Sequence, residues 1–287
     1  MKTNKSTDSV SLIQQSIIKT IDKLQYHLTK QEGVTGYIHR IRVDIKRLRG
    51  WLRLLRIHTD NGDWKIIDQN LIEVAKSLGG TRDDQVINET MAILVNNAKT
   101  KKEISAIASL HEQLHMELVP SSIDWKIIKN RLSEELNTIK KVFVSFESIH
   151  TIKKGLKHTY KRTIQHGEKA FSTQKTYDEL HKLRKWVKYL NYQLAYIGKA
   201  YPDFYIKYKH TIDKLGDVLG KAHDLAVIKE RLEQLPVKKK NTEDLEIVND
   251  LIDNNINLIL KNSRYTYKLI FNLSPEKFTS QIKYCKK

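Results

Sequence analysis

Apolar residues recur at intervals of three and four positions along most of this chain. This is the spacing of one face of an α-helix, and no window shows the strict alternation typical of a β-strand. The pattern therefore predicts an all-α protein. The predicted helices span approximately residues 8–30, 36–58, 63–79, 82–98, 100–118, 122–146, 150–170, 176–199, 203–220, 223–235 and 242–272.

Two of these helices have the clearest apolar faces, and local signals mark some helix starts. Thr176 stands three residues before Glu179, the spacing of a capping box. Ser274 followed by Pro275 predicts the start of a short terminal helix. The two apolar faces consist of Ile38, Ile41, Ile45, Leu48, Leu52 and Leu55 in one helix, and of Leu180, Leu183, Val187, Leu190, Leu194 and Ile197 in the other.

Two short motifs occur twice, in the same order. The pattern His-x-x-Arg-x-x-x-Lys stands at residues 39–46 and again at 181–188, an offset of 142 residues. A segment with Leu-Gly, Asp and Val follows at 78–86 and again at 219–227, an offset of 141 residues. Two motifs at nearly one offset indicate an internal duplication.

The duplication predicts two homologous helical halves, residues 8–149 and 150–287. A pseudo-two-fold arrangement follows as a hypothesis, in which the matching helices face one another. The chain has 287 residues, 40% of them apolar, which is enough for a sizeable core. Four prolines and eleven glycines disfavour an all-β fold with many tight turns.

Cysteine content and hydropathy narrow the class of protein. The single cysteine, Cys285, excludes an internal disulfide framework and is typical of a reducing compartment. The first twenty residues lack the continuous apolar run of a signal peptide. No apolar run approaches the ~18 residues of a membrane span. We therefore expect a cytoplasmic protein without a membrane segment.

The chain carries a formal net charge of +18, and this charge is concentrated. Residues 36–58 carry a net +6 and residues 150–192 a net +8. Like charges at this density repel one another unless a ligand neutralises them. A solvated helix face with internal ion pairs is the plain alternative, but Asp44 is the only acid in the first segment. The charge pattern therefore favours a polyanionic partner.

The basic residues of the duplicated motif share one side of their helices. At about 100° per residue they fall within a narrow arc beside the apolar face. Arginine offers planar paired donors to phosphate oxygens, and lysine a mobile point charge. A histidine beside a polyanion has its charged form favoured. We call this set the basic stripe: His39, Arg42, Lys46, Arg49 and Arg53 in the first half, and His181, Arg184, Lys188 and Asn191 in the second.

The duplicated His-x-x-Arg-x-x-x-Lys motif, each copy followed by Leu-Gly and Asp, resembles the CHAD domain, the conserved histidine α-helical domain. The resemblance covers roughly residues 8–280. It implies one CHAD domain built from two four-helix-bundle-like repeats, which binds inorganic polyphosphate through a basic surface. The E-x-E-x-K signature of the triphosphatase domain fused to some members does not occur. The resemblance thus implies a stand-alone, non-catalytic binding module without cofactor or metal, and association with polyphosphate granules as a family-level expectation.

The resemblance also implies specific polyphosphate-binding residues. Asn191 departs from the motif, because a basic residue is expected at the position that corresponds to Arg49. Asp83 and Asp224 are interpreted as structural partners of the basic helices. The residues that match the motif or its neighbouring basic helix are His39, Arg42, Lys46, Arg49, His181, Arg184, Lys188, Tyr192, Lys157, Lys161 and Arg162.

Two other functions stay open at this point. A basic helical protein can bind nucleic acid, although the stripe is poor in the aromatic side chains on which bases stack, since Trp51 and Trp186 project to the other flank. Polyphosphate is then expected to displace nucleic acid, a non-specific competitor. His111, Glu112 and His115 form a literal H-E-x-x-H, the pattern of zinc peptidases. Two histidines at the margin of the core are the plain explanation.

Overall fold

The computed structural model describes residues 2–30, 35–56, 62–78, 83–116, 123–144, 146, 148–172, 176–236 and 241–283. Within these ranges the fold is all-α, as predicted, and contains no strand. The helices are α1 (Lys2–Lys30), α2 (Thr35–Leu55), α3 (Asp63–Ser77), α4 (Asp83–Asn97), α5 (Lys101–Met116), α6 (Trp125–Thr138) with a π-helical turn at Ile139–Phe143, α7 (Ile149–Ala170), α8 (Tyr177–Ile197), α9 (Pro202–Gln234), α10 (Thr242–Ile270) and α11 (Pro275–Ser280).

The two motif helices, α2 and α8, pack against each other. Helix α2 also contacts α1, α3 and α7, and α8 also contacts α7 and α9. Both predicted apolar faces are buried, from Ile38 to Leu55 in α2 and from Leu180 to Ile197 in α8. Buried apolar residues from both halves, between Val10 and Ile282, form one contiguous cluster. The basic residues that border these faces are therefore fixed by a shared core.

The predicted helix starts at Thr176 and Ser274 are confirmed. The Thr176 hydroxyl accepts a hydrogen bond from the Glu179 amide, and the Ser274 hydroxyl accepts one from the Lys277 amide. The Glu179 carboxylate contacts His166 Nδ1 of α7 at 2.9 Å. Glu179, whose amide is capped by Thr176, thus also connects α8 to α7.

Helix α9 corrects one prediction. Separate helices were expected at 203–220 and 223–235, but the structure has a single helix over Pro202–Gln234. A glycine inside a helix costs only about 1 kcal/mol relative to alanine, and nothing between Gly220 and Leu225 forces a break. The Lys188 side chain of α8 lies against α9 at Gly216, where a Cβ would be 3.3 Å from Lys188 Cε.

The remaining helices complete the bundle. Helix α10 packs on α9 and α5, α4 packs on α5, α6 packs on α3, and α11 packs on α7. Helix α2 contacts α1 and α3, and α8 likewise contacts α7 and α9. Similar neighbours for the two motif helices are what an internal repeat predicts. The pseudo-two-fold relation and the boundary between the halves stay predictions. None of the described helices is both long and apolar enough to cross a membrane.

Candidate anion-binding site

The crossing of α2 and α8 brings the two copies of the motif together. A Cβ placed on Gly50 of α2 would lie 3.2 Å from Tyr192 Cβ of α8, so the helices meet at close range. Gln193 donates a hydrogen bond from Nε2 to the Gly50 carbonyl at 3.0 Å. Tyr192 therefore packs at this crossing, where it is partly buried.

Two arginines at the end of α2 share one carboxylate. Asp68 of α3 is buried, and its Oδ1 accepts from Arg49 Nε at 2.8 Å and from Arg53 Nη1 at 2.6 Å. Arg49 also donates to the Tyr189 hydroxyl of α8 at 3.2 Å, and Arg53 lies over the Tyr189 ring at 4.3 Å. One negative charge thus faces two positive ones, which leaves a net positive charge at this point.

Beside Arg53 lies an open cavity of about 470 Å³, which we call the basic pocket. Residues of α2, α7 and α8 supply its cations, and Trp64 of α3 adds a wall. None of the lining residues is acidic. The lining consists of Arg53, Arg56, Trp64, His158, Arg162, His166, Lys182, Lys185 and Trp186.

Burial and neighbouring positive charge disfavour the charged forms of Arg56, His158 and Lys185 in the basic pocket. Burial, followed by Arg162 and Arg53, lowers the pKa of Arg56. Burial and the neighbouring Arg56 and Arg162 lower the pKa of His158 to about 4. Burial, followed by Arg53 and Arg49, lowers the pKa of Lys185. An anion in the pocket would favour the charged forms of these three residues.

Acids of the protein already contact other cations of the pocket. Lys182 forms ion pairs with Asp178 and Glu179, and His166 contacts Glu179.

Both tryptophans of the pocket are engaged by cations of the protein. The Arg53 guanidinium lies 5.9 Å from the Trp64 ring centre, and that of Arg162 lies 5.6 Å from the Trp186 ring centre. The His166 ring is nearly parallel to Trp186, at 13° and a centroid distance of 6.3 Å. These contacts hold the guanidinium groups at the pocket wall.

Comparison with known families agrees with this basic, all-helical structure, since the family model for the CHAD domain matches residues 15–233. The chain belongs to the CHAD-domain family. The match ends at the last turn of α9, so α10 and α11 lie outside it. No curated protein matches the chain.

The predicted polyphosphate-binding residues of this CHAD domain lie in different environments. Arg53 of the basic stripe and Arg162 of α7 line the basic pocket. Arg42 instead donates from Nη1 to the Leu78 carbonyl beyond the end of α3, at 3.3 Å. His39 is exposed, and Lys46 is partly exposed.

The second copy of the motif lies against α9. Lys188 Nζ is 3.0 Å from Asp217 Oδ1, in an exposed ion pair. A Cβ on Gly220 would lie 3.8 Å from Arg184 Nε, so Arg184 extends over α9. Asn191 donates from Nδ2 to Asp213 Oδ1 at 2.6 Å. The departure of Asn191 from the family motif thus replaces a cation by an amide that binds an acid of the protein.

The His181 ring lies 4.8 Å from the His223 ring of α9. Burial, and then His223 and Lys185, lower the pKa of His181. His181 therefore gains charge near neutral pH only if an anion offsets this effect. His223 in turn contacts Asp224, the next residue of α9, at 3.2 Å, so the pairing of Asp224 with the basic helices stays a prediction. The side chain of Asp83, the acid predicted to correspond in the first half, lies outside the described residues.

The cations of α7 differ in exposure. Lys157 Nζ forms an ion pair with Glu276 of α11 at 2.7 Å. Lys161 is exposed, whereas Arg162 reaches into the pocket and contacts His166 Nε2 at 3.2 Å. Of the three α7 cations that the resemblance implies as polyphosphate contacts, Arg162 therefore lines the pocket.

Sequence reasoning missed most of the pocket. At 100° per residue, Lys182 lies about 100° and Lys185 about 40° around α8 from His181, outside the arc of the stripe. Arg56 follows Arg53 by three residues, and this helical spacing was the sequence signal that could have added Arg56 to the predicted site. His158 and His166 join the pocket only because α7 packs on both α2 and α8. Trp64 and Trp186 complete the missed set.

The H-E-x-x-H segment does not form a peptidase-type centre within the described residues. No group of three histidine, cysteine or acidic side chains that suits a metal ion occurs among them. Glu135 of α6 follows the segment by twenty residues and is an acid that could serve as a third ligand. It instead accepts a hydrogen bond from Asn70 of α3 at 2.6 Å. Glu112 is exposed on α5.

Proposed function

We propose that this CHAD domain binds inorganic polyphosphate, with the basic pocket as its principal contact and the exposed cations of α2 and α8 as an extension. The observation that carries the proposal is the convergence of five lysines and arginines and two histidines on one open pocket whose lining contains no acidic residue. The CHAD family is commonly linked to polyphosphate or triphosphate binding, which supports the same ligand class.

The chemistry of the pocket suits a chain of phosphates. Arg56 and Arg162 offer planar donor pairs for phosphate oxygens, and Lys185 adds a mobile charge. Burial, and then neighbouring cations, lower the pKa of Arg56 and Lys185, and a bound polyanion offsets both effects because it favours the charged forms. Binding of this kind gains from counterion release and weakens with salt, as it does for nucleic acids.

Nucleic-acid binding is the second candidate, and Trp64 and Trp186 are the observation that favours it. Bases stack on aromatic faces, and both rings line the pocket. However, Arg53 already lies over Trp64, and Arg162 over Trp186. Rings engaged in this way hold guanidinium groups in place, so a ligand without bases fits better.

The proposal includes a non-catalytic role, a cytoplasmic location and attachment to polyphosphate granules. The pocket lining has no carboxylate that would hold the Mg²⁺ typical of phosphoryl transfer. If polyphosphate is the ligand, the protein is expected in the cytoplasm and on polyphosphate granules. A fluorescent fusion of the protein, imaged in cells stained for polyphosphate, would test both expectations.

The test is a titration of the purified chain with long-chain polyphosphate, followed by tryptophan fluorescence at several salt concentrations. We expect saturable binding, and the logarithm of the association constant should fall linearly with the logarithm of the salt concentration. Single-stranded RNA at equal phosphate concentration is the competitor. Displacement of RNA by polyphosphate supports the proposal, whereas displacement of polyphosphate by RNA would favour the nucleic-acid alternative.

A further inference from the structure

Three polar atoms on α4 and α5 meet in a closed triangle. His111 Nε2 and His115 Nε2 lie 3.0 Å apart, and each lies 2.8 Å from Asn88 Oδ1. The i, i+4 spacing places both imidazoles on one face of α5, and the packing of α4 on α5 brings Asn88 to them. Both histidines are partly exposed and Asn88 is exposed, so water and ions reach the group.

Hydrogen bonds alone do not account for all three short distances. Each Nε2 carries at most one hydrogen in the neutral ring, and the amide oxygen carries none. If both histidines donate to Asn88, two donors face each other at 3.0 Å. If His111 donates to His115, the lone pair of His115 faces the oxygen of Asn88 at 2.8 Å. One edge of the triangle therefore always lacks a proton.

A metal ion accepts all three lone pairs at once. With ligand distances of about 2.1 Å, neighbouring donors of an octahedral ion are about 3.0 Å apart, because that edge is √2 times the bond length. The corresponding edge of a tetrahedron is about 3.4 Å. The observed 2.8, 2.8 and 3.0 Å match one face of an octahedron.

We propose that His111, His115 and Asn88 form a binding site for a divalent transition-metal ion, with the remaining positions open to water. Two imidazoles and an amide oxygen favour Cu²⁺ and Ni²⁺ over Mg²⁺ or Ca²⁺. The ion would cross-link α4 to α5. This site is distinct from a peptidase centre, since its third ligand is an amide oxygen and no acidic ligand accompanies it within the described residues.

Protonation chemistry agrees with this geometry. Burial and the neighbouring His115 lower the pKa of His111, which disfavours its charged ring. Neutral imidazole is the form that binds a metal.

The experiment is a calorimetric titration of the full, tag-free chain with Ni²⁺ and with Cu²⁺, after a high-salt wash that removes polyanions. We expect one ion per chain, with Cu²⁺ bound more tightly than Ni²⁺. His115→Ala should weaken Ni²⁺ binding by about 100-fold or more, because loss of a direct ligand exceeds the 10–100-fold effect of groups behind a ligand. Asn88→Asp should strengthen it, since a carboxylate adds negative charge.

The matched control is the double variant His150→Ala/His210→Ala, which removes two exposed histidines elsewhere. It should keep the wild-type affinity for Ni²⁺, and circular dichroism should show that every variant is folded. The superhyperfine pattern of bound Cu²⁺ should report two nitrogen ligands and lose one in His115→Ala. Absence of saturable binding by the wild type, or equal Ni²⁺ affinity in His115→Ala, would overturn the proposal.

Discussion

Arg53 of α2 donates from both terminal guanidinium nitrogens to the two carboxylate oxygens of Asp68 on α3, each at 2.6 Å. Arg49 adds a third contact to the same carboxylate. This arrangement fixes the end of α2 against α3 and holds the Arg53 side chain at the wall of the basic pocket. One carboxylate positions two guanidinium groups and leaves their combined charge positive.

Asp68→Asn should destabilise the fold by about 3 kcal/mol, because it leaves two largely buried arginines without their counter-charge. Burial alone would raise the pKa of Asp68, but hydrogen bonds from Arg53 and Arg49 hold it below its ordinary value. The contribution is therefore full above about pH 4 and is lost as the pH falls through the lowered pKa. Urea unfolding at pH 7 and at pH 3 measures it.

Glu134→Gln is the matched control, since it neutralises an exposed carboxylate on α6. Its free energy of unfolding should stay within about 0.5 kcal/mol of the wild type. The structural role assigned to Asp68 would be wrong if Asp68→Asn behaved like this control.

Local patterns explain which parts of the fold could be predicted. The apolar faces of α2 and α8 and the caps at Thr176 and Ser274 depend on residues within a few positions of one another, and all are confirmed. The continuous helix α9 was missed because glycine only weakens a helix and does not end it.

The pocket required information that no local pattern holds. Lys185 and His158 are neighbours only through the packing of α7 on α8, and the pairing of Asp68 with Arg53 depends on the angle between α2 and α3. The density of positive charge in two segments predicted an anion site. Which cations would converge, and which would be paired internally, is decided by tertiary packing.

Arg56→Ala/Arg162→Ala should weaken polyphosphate binding by about tenfold or more at moderate salt, since both guanidinium groups line the basic pocket. The slope of log affinity against log salt should become shallower by about one to two. The control variant Lys126→Ala/Lys261→Ala also removes two positive charges, from exposed positions on α6 and α10. A loss of affinity no greater than in this pair would contradict the pocket assignment.

Arg42→Ala/Lys46→Ala tests the first copy of the family motif, which lies outside the pocket lining. We expect weaker polyphosphate binding with unchanged helicity by circular dichroism. Loss of the Arg42 hydrogen bond to the Leu78 carbonyl should cost about 1 kcal/mol of stability. Filter binding compares the polyphosphate affinity of this variant with that of the wild type and of Arg56→Ala/Arg162→Ala. The comparison shows whether the α2 motif or the basic pocket contributes more to binding. Unchanged affinity would remove Arg42 and Lys46 from the site.

Gly155→Ala should destabilise the protein by about 3 kcal/mol or more, because a Cβ there would lie 1.8 Å from the Leu54 carbonyl oxygen. Helices α7 and α2 would have to separate, which also opens the pocket. Gly36→Ala is the control, since nothing lies within 4 Å of a Cβ at that position. It should be neutral or stabilising by up to about 1 kcal/mol. Thermal unfolding compares them, and similar losses in both variants would refute the close contact.

Polyphosphate binding should be accompanied by proton uptake at His158. Burial and the adjacent Arg56 and Arg162 lower the pKa of His158 to about 4, so its ring is neutral in the unliganded protein at pH 5.5. A polyanion in the pocket raises that pKa, because it favours the charged ring. Affinity should therefore increase as the pH falls from about 6.5 toward 4, the window between the ordinary and the lowered pKa.

Calorimetry at pH 5.5 in two buffers of different ionisation enthalpy measures the protons taken up on binding. The wild type should take up more protons than His158→Gln, which keeps a polar side chain but does not titrate. His150→Gln, at an exposed histidine outside the pocket, should match the wild type. Equal uptake by the wild type and His158→Gln would show that phosphate does not approach this ring, and would direct the search for the ligand to the α8–α9 side of the basic stripe, where Arg184 and Lys188 lie.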